Sequence, residues 1–263
     1  MDAAVETPKA RRIYLLLHDR IGSGTLSDGD RLPGEPALAL EFGVSRMTVR
    51  RALDRLVHEG MLERRAGVGT FVRDRETIHL VRADLSDVFA HLREMGRRSS
   101  VRLISFAYVC PPDSVATALR LQAGVRTQRS ERVRLMDGAP FSYLTTHVPE
   151  RIGATYSEAD LATTPLIGLL ERSGVIAERA TQTLSAALAG PEVAAALGLE
   201  FGAALLSLTR VVLDQNGAGV EHLHALYRPD RFSFAMDLLR TGQTDDRRWK
   251  PVNLRDPQSK GNL

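Results

Sequence analysis

Cysteine and lysine are nearly absent from this sequence. The single cysteine, Cys110, excludes an intrachain disulfide framework and is typical of a chain that folds in a reducing cytoplasm. We expect its side chain to be buried in a strand as a small apolar group. Lysine occurs only as Lys9, Lys250 and Lys260. Almost all positive charge is therefore carried by arginine, which binds phosphate and carboxylate groups in bidentate fashion.

Long hydrophobic runs are also missing. No apolar stretch approaches the roughly 18 residues that a membrane-crossing helix needs. The N-terminus shows no charged segment followed by an apolar core. We therefore expect no membrane span and no signal peptide. The hydrophobic fraction of 43% nevertheless suffices for packed cores, and a length of 263 residues suggests one or two domains.

Positive charge is concentrated in one short stretch of the chain. The net charge is only +3, yet residues 46–75 hold eight arginines and four acidic residues. Residues 1–45, in contrast, are acidic on balance. A local basic excess of this kind is typical of a nucleic-acid-binding segment.

Residues 42–72, FGVSRMTVRRALDRLVHEGMLERRAGVGTFV, predict a helix followed by a hairpin. Ser45 can cap the helix by accepting a hydrogen bond from a backbone N–H group two or three residues later. An apolar stripe from Val49 to Val57 recurs at helical spacing, and Gly60 suits a left-handed end.

The other side of this helix carries Arg46 and Arg50, four residues apart, with Thr48 between them. Two guanidinium groups and a hydroxyl at the leading end of a helix can reach base edges and phosphates in a DNA major groove. The hairpin carries Arg64 and Arg65 and turns through two glycines, which predicts a wing that grips phosphate or the minor groove. The alternative is an ordinary amphipathic helix and hairpin with solvated charges.

The segments before this helix complete a compact domain. Residues 9–22 predict a first helix, Arg31–Leu32 an extended piece and residues 34–43 a second helix. The order helix, helix, turn, helix, hairpin predicts a winged helix-turn-helix. We assign residues 1–73 to this domain and residues 74–81 to a linker.

Strand patterns dominate the rest of the chain. A helix is predicted over residues 82–96, and hairpins turn at Asp137–Gly138 and Asn216–Gly217. Strands are predicted over residues 101–110, 126–136, 140–149, 178–188, 204–214, 219–228 and 231–239, and short helices over 112–121, 164–174 and 191–199. Together they predict an α+β domain with an antiparallel sheet over residues 82–240. Residues 241–263 are polar and predict a loose tail.

Three motifs between Arg11 and Val72 give this chain a family resemblance. DGDRLPGE, LALEFGVSRMTVRRALDRLVHEG and GVGTFV occur in that order, and the stretch resembles the GntR family of bacterial transcriptional regulators. The resemblance implies a double-stranded, pseudo-palindromic DNA operator as partner, bound at the bacterial nucleoid. The candidate DNA-binding residues are Arg31, Ser45, Arg46, Thr48, Arg50, Arg65, Gly67, Gly69 and Thr70.

Two positions depart from the pattern of that family. Pro36 stands where an arginine is common, so we expect one phosphate contact fewer. Val68 replaces a basic residue at the tip of the wing, so a minor-groove arginine is missing unless Arg64 or Arg65 substitutes for it.

The second part of the chain is similar to the UTRA effector-binding domain of the HutC-type branch. The residues that carry this likeness are ERVRLMDGAPFSYLTTHVP and GVEHLHALYRPDRFSF. The resemblance implies a chorismate-lyase-like fold, a small-molecule effector and a homodimer. Leu144 stands where the family often has a glutamate, which removes one polar contact from the effector site.

Two pairs of polar residues are candidates for the effector site. Arg132 and Arg134 alternate on a strand, so both point to one face and can capture a phosphate or carboxylate. Their alternative is a solvent-facing arginine ladder. Glu221 and Tyr227 share a face of a later strand, with a buried acid–tyrosine pair as the alternative. The resemblance extends the candidate set to Ser86, Arg132, Arg134, Thr146, His147, Glu221 and Tyr227.

We predict neither a cofactor nor a metal. His222 and His224 share a strand face, but no third metal ligand follows from the sequence. A lyase-type enzyme is the less favoured alternative, because no acid, base and nucleophile converge. An effector-independent DNA-binding protein is a further alternative to the predicted function, a ligand-responsive regulator that is most simply a repressor.

Overall fold

A computed structural model describes residues 8–73, 81–84, 99–241 and 247–252, of which residues 81–84 and 251–252 are described by their backbone only. The chain divides between His79 and Leu80 into two compact units. No helix among these residues has the length and apolar character to cross a membrane.

The first unit packs three helices with a two-stranded hairpin. Its elements are α1 (Pro8–Gly22), α2 (Glu35–Phe42), α3 (Arg46–His58), β1 (Leu62–Arg65) and β2 (Gly69–Val72). The two strands pair antiparallel, with Leu62 opposite Val72. The predicted winged helix-turn-helix is confirmed.

One apolar core holds the first unit together. Leu17 of α1, Leu38 of α2, Leu53 and Leu56 of α3 and Leu62 of β1 are almost fully buried. Burying one such side chain contributes about 1.5–3 kcal/mol. Because the apolar stripe of α3 is buried here, its opposite side faces outward.

The second unit is built on a six-stranded antiparallel sheet with short helices. Its elements are β3 (Val81–Asp84), β4 (Ser100–Val109), α4 (Asp113–Ala118), β5 (Thr127–Met136), β6 (Ala139–Pro149), α5 (Glu150–Gly153), α6 (Glu158–Thr163), α7 (Leu166–Arg172), β7 (Ala177–Leu188), α8 (Pro191–Leu197), β8 (Ala204–Asp214), β9 (Gly219–Tyr227), β10 (Phe232–Ala235), β11 (Asp237–Thr241) and β12 (Arg248–Val252). The strand order in the sheet is β4-β5-β6-β9-β8-β7. The predicted α+β class is confirmed.

Successive side chains of each strand point to opposite faces of this sheet. We call the face that carries Arg132, Leu144 and Leu223 the front face, and the face that carries His147 and His222 the back face. The start of α7 lies over the front face, where its leucines join a core with strand residues. Helix α8 packs on the back face at one end of the sheet.

Four expectations about the second unit are wrong in detail. Residues 82–84, predicted to begin a helix, belong to β3, which pairs parallel with β10; residues 85–96 lie outside the described residues. The strand predicted over residues 231–239 is broken at Met236 into β10 and β11. Strand β12 lies in the predicted loose tail, because its backbone pairs with β11. Residues 248–250 are exposed, and a proline within so short a run argues against a strand in the sequence.

The fourth correction concerns Cys110, which is exposed just after β4 and is not a buried strand residue. Sequence reasoning also missed two short helices, α5 and α6. Both are shorter than two turns, so they show no helical periodicity. Ser157 and Asp160 form a capping box at α6, and that spacing was the one available signal.

Candidate functional sites

The leading end of α3 is fixed by its cap. The Ser45 Oγ accepts a hydrogen bond from the Thr48 backbone N–H at 3.2 Å, and the two hydroxyl oxygens are 2.8 Å apart. The prediction that Ser45 caps this helix is confirmed. The cap satisfies one of the unpaired N–H groups and presents both hydroxyls beside the arginines of the first turns.

Arg46 and Arg50 are both exposed on the side of α3 that faces away from the core. Arg50 is held by Glu35 at the start of α2. Its Nε lies 3.0 and 3.1 Å from the two carboxylate oxygens, and its Nη2 lies 2.7 Å from Oε2. This hydrogen bonding lowers the pKa of Glu35, so the carboxylate is charged at neutral pH.

The hairpin adds two further arginines. Arg64 donates to Asp54 of α3 at 2.6 Å and lies 3.8 Å from Glu35. Arg65 pairs with Glu63, and its guanidinium lies 4.5 Å from the centre of the Phe71 ring. Acidic residues thus orient Arg50, Arg64 and Arg65 without burying them.

The turn of the hairpin depends on glycine. Gly67 and Gly69 have φ angles of +72° and +144°, which side chains disfavour. A Cβ on Gly69 would lie 3.0 Å from the Arg31 Nε, so this guanidinium packs directly against the hairpin backbone. The Leu32 N–H donates to the Thr70 carbonyl at 2.9 Å and attaches this segment to β2.

The structure therefore brings the candidate residues of the first unit together on α3, the hairpin and the segment around Arg31. We call the exposed residues Arg46, Arg50, Arg64 and Arg65 the arginine surface. Thr48, Gly69 and Thr70 are half-buried beside it. Four accessible guanidinium groups at a helix end and an adjoining hairpin can bind a polyanion, whose phosphates would compete with Glu35 and Asp54.

The front face of the second unit carries an open cavity with about 450 Å³ of empty volume, a figure that includes the solvent at its mouth. Its lining residues are Arg132, Arg134, Leu144, Pro165, Leu166, Ile167, Arg210, Glu221, Leu223 and Tyr227. Strands β5, β6, β9 and β8 form the floor of the cavity. Residues 165–167 at the start of α7 form its other wall, which is apolar. A concave site with apolar walls and a few convergent charged groups has the composition of a small-molecule site.

Arg132 and Arg134 are 2% and 6% exposed, so the alternative of a solvent-facing ladder is wrong. Arg132 donates to the Thr146 Oγ1 at 3.4 Å, and Arg134 donates to the Ser99 Oγ at 2.9 Å. Burial, followed by the charge of Arg134, lowers the pKa of Arg132 to about 10. Burial also lowers the pKa of Arg134. At neutral pH Arg132 is therefore still charged.

Sequence reasoning missed a third arginine of the cavity. Arg210 on β8 is 4% exposed and lies 3.4 Å from the Glu221 Oε2, the carboxylate that we expected to bind the effector. Arg210 lies on β8 between Leu208 and Val212, both buried on the same face. A charged residue within an otherwise apolar alternation was the signal that could have identified it.

The charges of the cavity do not balance. Three buried guanidinium groups face one carboxylate, which leaves an excess of two positive charges. Within the part of the chain that the structure describes, the buried Arg132 Nε, Arg210 Nε and Ser142 Oγ have no hydrogen-bond partner. Uncompensated buried charge is costly, and unpaired buried donors are rare in folded proteins. The arrangement is therefore suited to binding an anion.

The other expected effector residues do not all lie at the cavity. Glu221 and Tyr227 line the cavity, and burial raises the pKa of Tyr227, which keeps its hydroxyl protonated. Thr146 is buried on the front face beneath Arg132. His147 follows Thr146 on β6 and so points to the back face, and we leave it out of the proposed site. Ser86 lies outside the described residues.

The back face gathers the three histidines of these strands. His147 lies opposite His222 in the sheet, and its Nδ1 is 2.9 Å from the Thr127 hydroxyl. His224 contacts the Ser207 hydroxyl at 3.2 Å. Burial lowers the pKa of His147 to about 4, so its ring is neutral at pH 7. Among the residues that the structure describes, no group of three metal-ligating side chains is arranged to hold a metal.

Comparison with known proteins gives a match for each unit. Residues 9–72 match the bacterial regulatory proteins of the gntR family, and residues 94–233 match the UTRA domain. Together the two matches span both the arginine surface and the cavity.

Similar proteins share both parts of the chain. The HTH-type transcriptional repressor NagR of Bacillus subtilis is 31% identical over 218 residues, which cover 83% of this chain and 89% of NagR. The HTH-type transcriptional regulator Rv0792c of Mycobacterium tuberculosis is 32% identical over 240 residues, covering 89% and 87% of the two chains. PhnF from Mycobacterium smegmatis has a crystal structure that superposes on this chain with a TM-score of 0.53. The sequences are 27% identical, and the match covers 85% of this chain and 97% of PhnF. These relatives are named as regulators of transcription.

Proposed function

Because this chain belongs to the GntR family of bacterial regulatory proteins, in its HutC-type branch, we propose that it is a repressor which leaves its operator when a small anion fills the cavity. It is a ligand-responsive transcriptional regulator and not an enzyme. The observation that carries the proposal is the buried excess of two positive charges in the cavity.

The DNA-binding side of the proposal rests on α3 and the hairpin. Arg46 and Arg50 enter the major groove of the operator, and Ser45 and Thr48 contact phosphates beside them. Arg31, Arg65 and the hairpin backbone at Gly67, Gly69 and Thr70 grip the neighbouring backbone or minor groove. All of these side chains are exposed or half-buried.

The coupling to the effector requires two copies of the chain. A homodimer presents two winged helices to the half-sites of a pseudo-palindromic operator at the nucleoid in the cytoplasm. Effector binding then biases the position of the two DNA-binding units, so that the half-site spacing is matched only in the effector-free state. In this proposal residues 1–73 form the DNA-binding domain, and the effector domain extends from β3 at Val81 to β12 at Val252, beyond the predicted residues 82–240.

The anion-binding part of the proposal separates it from an effector-independent DNA-binding protein. Arg132, Arg134 and Arg210 together carry more charge than Glu221 can neutralise. A site of this kind lowers the stability of the free protein, since burying a charge without a counter-ion costs several kcal/mol. A bound phosphate or carboxylate offsets that cost.

Replacing Arg50 by alanine tests the DNA-binding surface. The operator is first selected from a random duplex library with the full-length protein, and affinity is then measured by fluorescence anisotropy at several salt concentrations. We expect Arg50→Ala to weaken operator binding about tenfold or more, because one guanidinium contact to a base or phosphate is lost.

The matched control is Arg20→Ala, which removes an exposed arginine of the same unit that pairs with Glu41 outside α3 and the hairpin. This variant should bind the operator like the wild type. If Arg50→Ala leaves both the affinity and its salt dependence unchanged, α3 does not enter the groove.

Replacing Arg132 by methionine tests the cavity. Binding of inorganic phosphate and of simple phosphate monoesters to the full-length protein is measured by isothermal titration and by release of the labelled operator. We expect Arg132→Met to weaken anion binding about a hundredfold, because a desolvated, charge-assisted contact is removed.

Arg129→Met is the matched control, since Arg129 lies on the same strand but points to the back face, where it pairs with Glu131 at 2.7 Å. Its anion binding should equal that of the wild type. Equal losses in the two variants would show that the cavity is not the anion site.

A further inference from the structure

The cavity has a second chemical character besides its charge. Apart from the three arginines, Glu221 and Tyr227, every lining residue is apolar, namely Leu144, Pro165, Leu166, Ile167 and Leu223. No serine, threonine, asparagine or glutamine lines it among the described residues. The wall thus offers strong charge at a few points and hydrocarbon elsewhere.

The sheet register shows how these groups are distributed over the floor. Leu144 lies directly beside Arg132 on the neighbouring strand, and Leu223 lies directly beside Arg210. Both leucines are 5% exposed or less. An anion held by the guanidinium groups therefore has its body against leucine side chains on the floor.

The opposite wall is apolar as well. Pro165, Leu166 and Ile167 lead into α7, and Leu166 also joins the core beneath that helix. Leu169 and Leu170 of α7 are almost fully buried in the same core, which fixes the position of the wall. A ligand body between this wall and the leucines of the floor has hydrocarbon on two sides.

Few hydrogen-bonding groups are left for hydroxyls on a ligand. Glu221 is engaged by Arg210, and the unpaired Arg132 Nε and Arg210 Nε are cationic donors suited to an anionic group. Among the described side chains, the Tyr227 hydroxyl lines the cavity, and the buried Ser142 hydroxyl, which has no partner, lies beside Arg134 and Tyr227 on the neighbouring strand. These two neutral hydroxyls are fewer than the hydroxyls of a sugar phosphate. A ligand hydroxyl buried against leucine without a partner loses its water contacts and gains none.

From this combination we propose that the effector is a small anion with a hydrocarbon body and not a polyhydroxylated anion such as a sugar phosphate or sugar acid. The anionic group is a phosphate monoester or a carboxylate and lies at Arg132 and Arg134. The hydrocarbon body lies against Leu144, Leu223 and the start of α7. This inference rests on the proposed anion-binding function and narrows its ligand class.

The test compares anions that share a head group and a ring size but differ in their hydroxyl groups. Cyclohexylmethyl phosphate is compared with glucose 6-phosphate, and cyclohexanecarboxylate with glucuronate, by isothermal titration against the full-length protein. We expect the hydrocarbon member of at least one pair to bind about tenfold tighter or more, because each unpaired buried hydroxyl weakens binding by about that factor. The pair in which the hydrocarbon member binds tighter shows whether the cavity prefers a phosphate or a carboxylate head group.

A substitution in the apolar wall makes the test specific to the cavity. Leu144→Gln supplies a neutral donor and acceptor beside Arg132 and should shift the preference towards the hydroxylated member of the pair by about tenfold. Ile176→Gln is the matched control, since Ile176 is 62% exposed and lies outside the cavity. Its preference should equal that of the wild type.

The outcomes separate the two proposals. If neither pair shows a preference for its hydrocarbon member, while the hydroxylated anions bind and Arg132→Met abolishes that binding, the hydrocarbon inference is overturned and the anion-binding function is retained. If anions of both kinds fail to bind, or bind equally well to Arg132→Met, both proposals are overturned.

Discussion

The two units of this protein use arginine in opposite ways. On the arginine surface, Arg50 and Arg64 are exposed, and each pairs closely with a carboxylate, at 2.7 and 2.6 Å. In the cavity, Arg132 and Arg134 are almost fully buried, and their guanidinium groups donate to the hydroxyls of Thr146 and Ser99.

This difference matches the two kinds of anion that we propose as partners. An exposed pair is worth little, so a DNA phosphate can replace Glu35 or Asp54 at small cost while water solvates the displaced carboxylate. A buried guanidinium is poorly solvated, so a small anion that enters the cavity gains most of the electrostatic compensation. Exposed arginine–carboxylate pairs are therefore suited to binding a large polyanion. Buried arginines that outnumber the carboxylates are suited to binding a small anionic ligand.

Removing the buried carboxylate should have the largest effect on stability. Glu221→Gln leaves Arg210 without its counter-ion, and we expect the free energy of unfolding to fall by about 3 kcal/mol in buffer without phosphate. Urea unfolding followed by circular dichroism measures the change. The comparison variant is Glu35→Gln, where the partner arginine is solvated and the loss should stay below about 1 kcal/mol. Equal losses of unfolding free energy in the two variants would show that the buried and the exposed arginines do not differ in their need for a counter-ion.

Removing a buried arginine should have a smaller effect of opposite sign. In phosphate-free buffer we expect Arg132→Met to raise the free energy of unfolding by about 1 kcal/mol, because an uncompensated charge is replaced by an apolar chain of similar length. Differential scanning fluorimetry with and without added phosphate follows the effect, and phosphate should raise the melting temperature of the wild type only. A loss of stability in Arg132→Met would indicate that Arg132 is compensated within the protein.

The smallest effect is expected on the arginine surface. Glu35→Gln removes a negative charge that lies next to Arg50 and Arg64, so affinity for non-specific duplex DNA at low salt should rise about two- to fivefold. Anisotropy titrations at several salt concentrations measure it. Glu41→Gln removes a carboxylate that pairs with Arg20 and should leave this affinity unchanged. An equal rise in both variants would assign the effect to net charge alone.

Much of the first unit was predictable because its signals are local. The Ser45 cap, the apolar stripe of α3 and the glycines of the turn lie within a single stretch of chain, and each constrains its own neighbourhood. The pairing of Arg50 with Glu35 was not predictable, since it joins two helices whose relative placement is set by the core.

The cavity was predictable only in part, since its residues come from four strands. Alternation placed Arg132 with Arg134 and Glu221 with Tyr227 on common faces. The same rule separates Thr146 from His147, although both were expected at the effector site. The apolar alternation of β8 could have marked Arg210 as buried, but its place beside Glu221 follows from the register between β8 and β9, which depends on both strands.

The sequence by itself therefore determined the two-part architecture, the outward side of α3 and the alternation of charged with apolar side chains along the strands, because each of these depends on neighbours close in the chain. Only the tertiary structure decided which arginines are solvated and which are buried. That outcome depends on distant elements, on whether Glu35 reaches Arg50 and on whether the start of α7 covers the front face, and the solvation of a charge determines which anion it can bind.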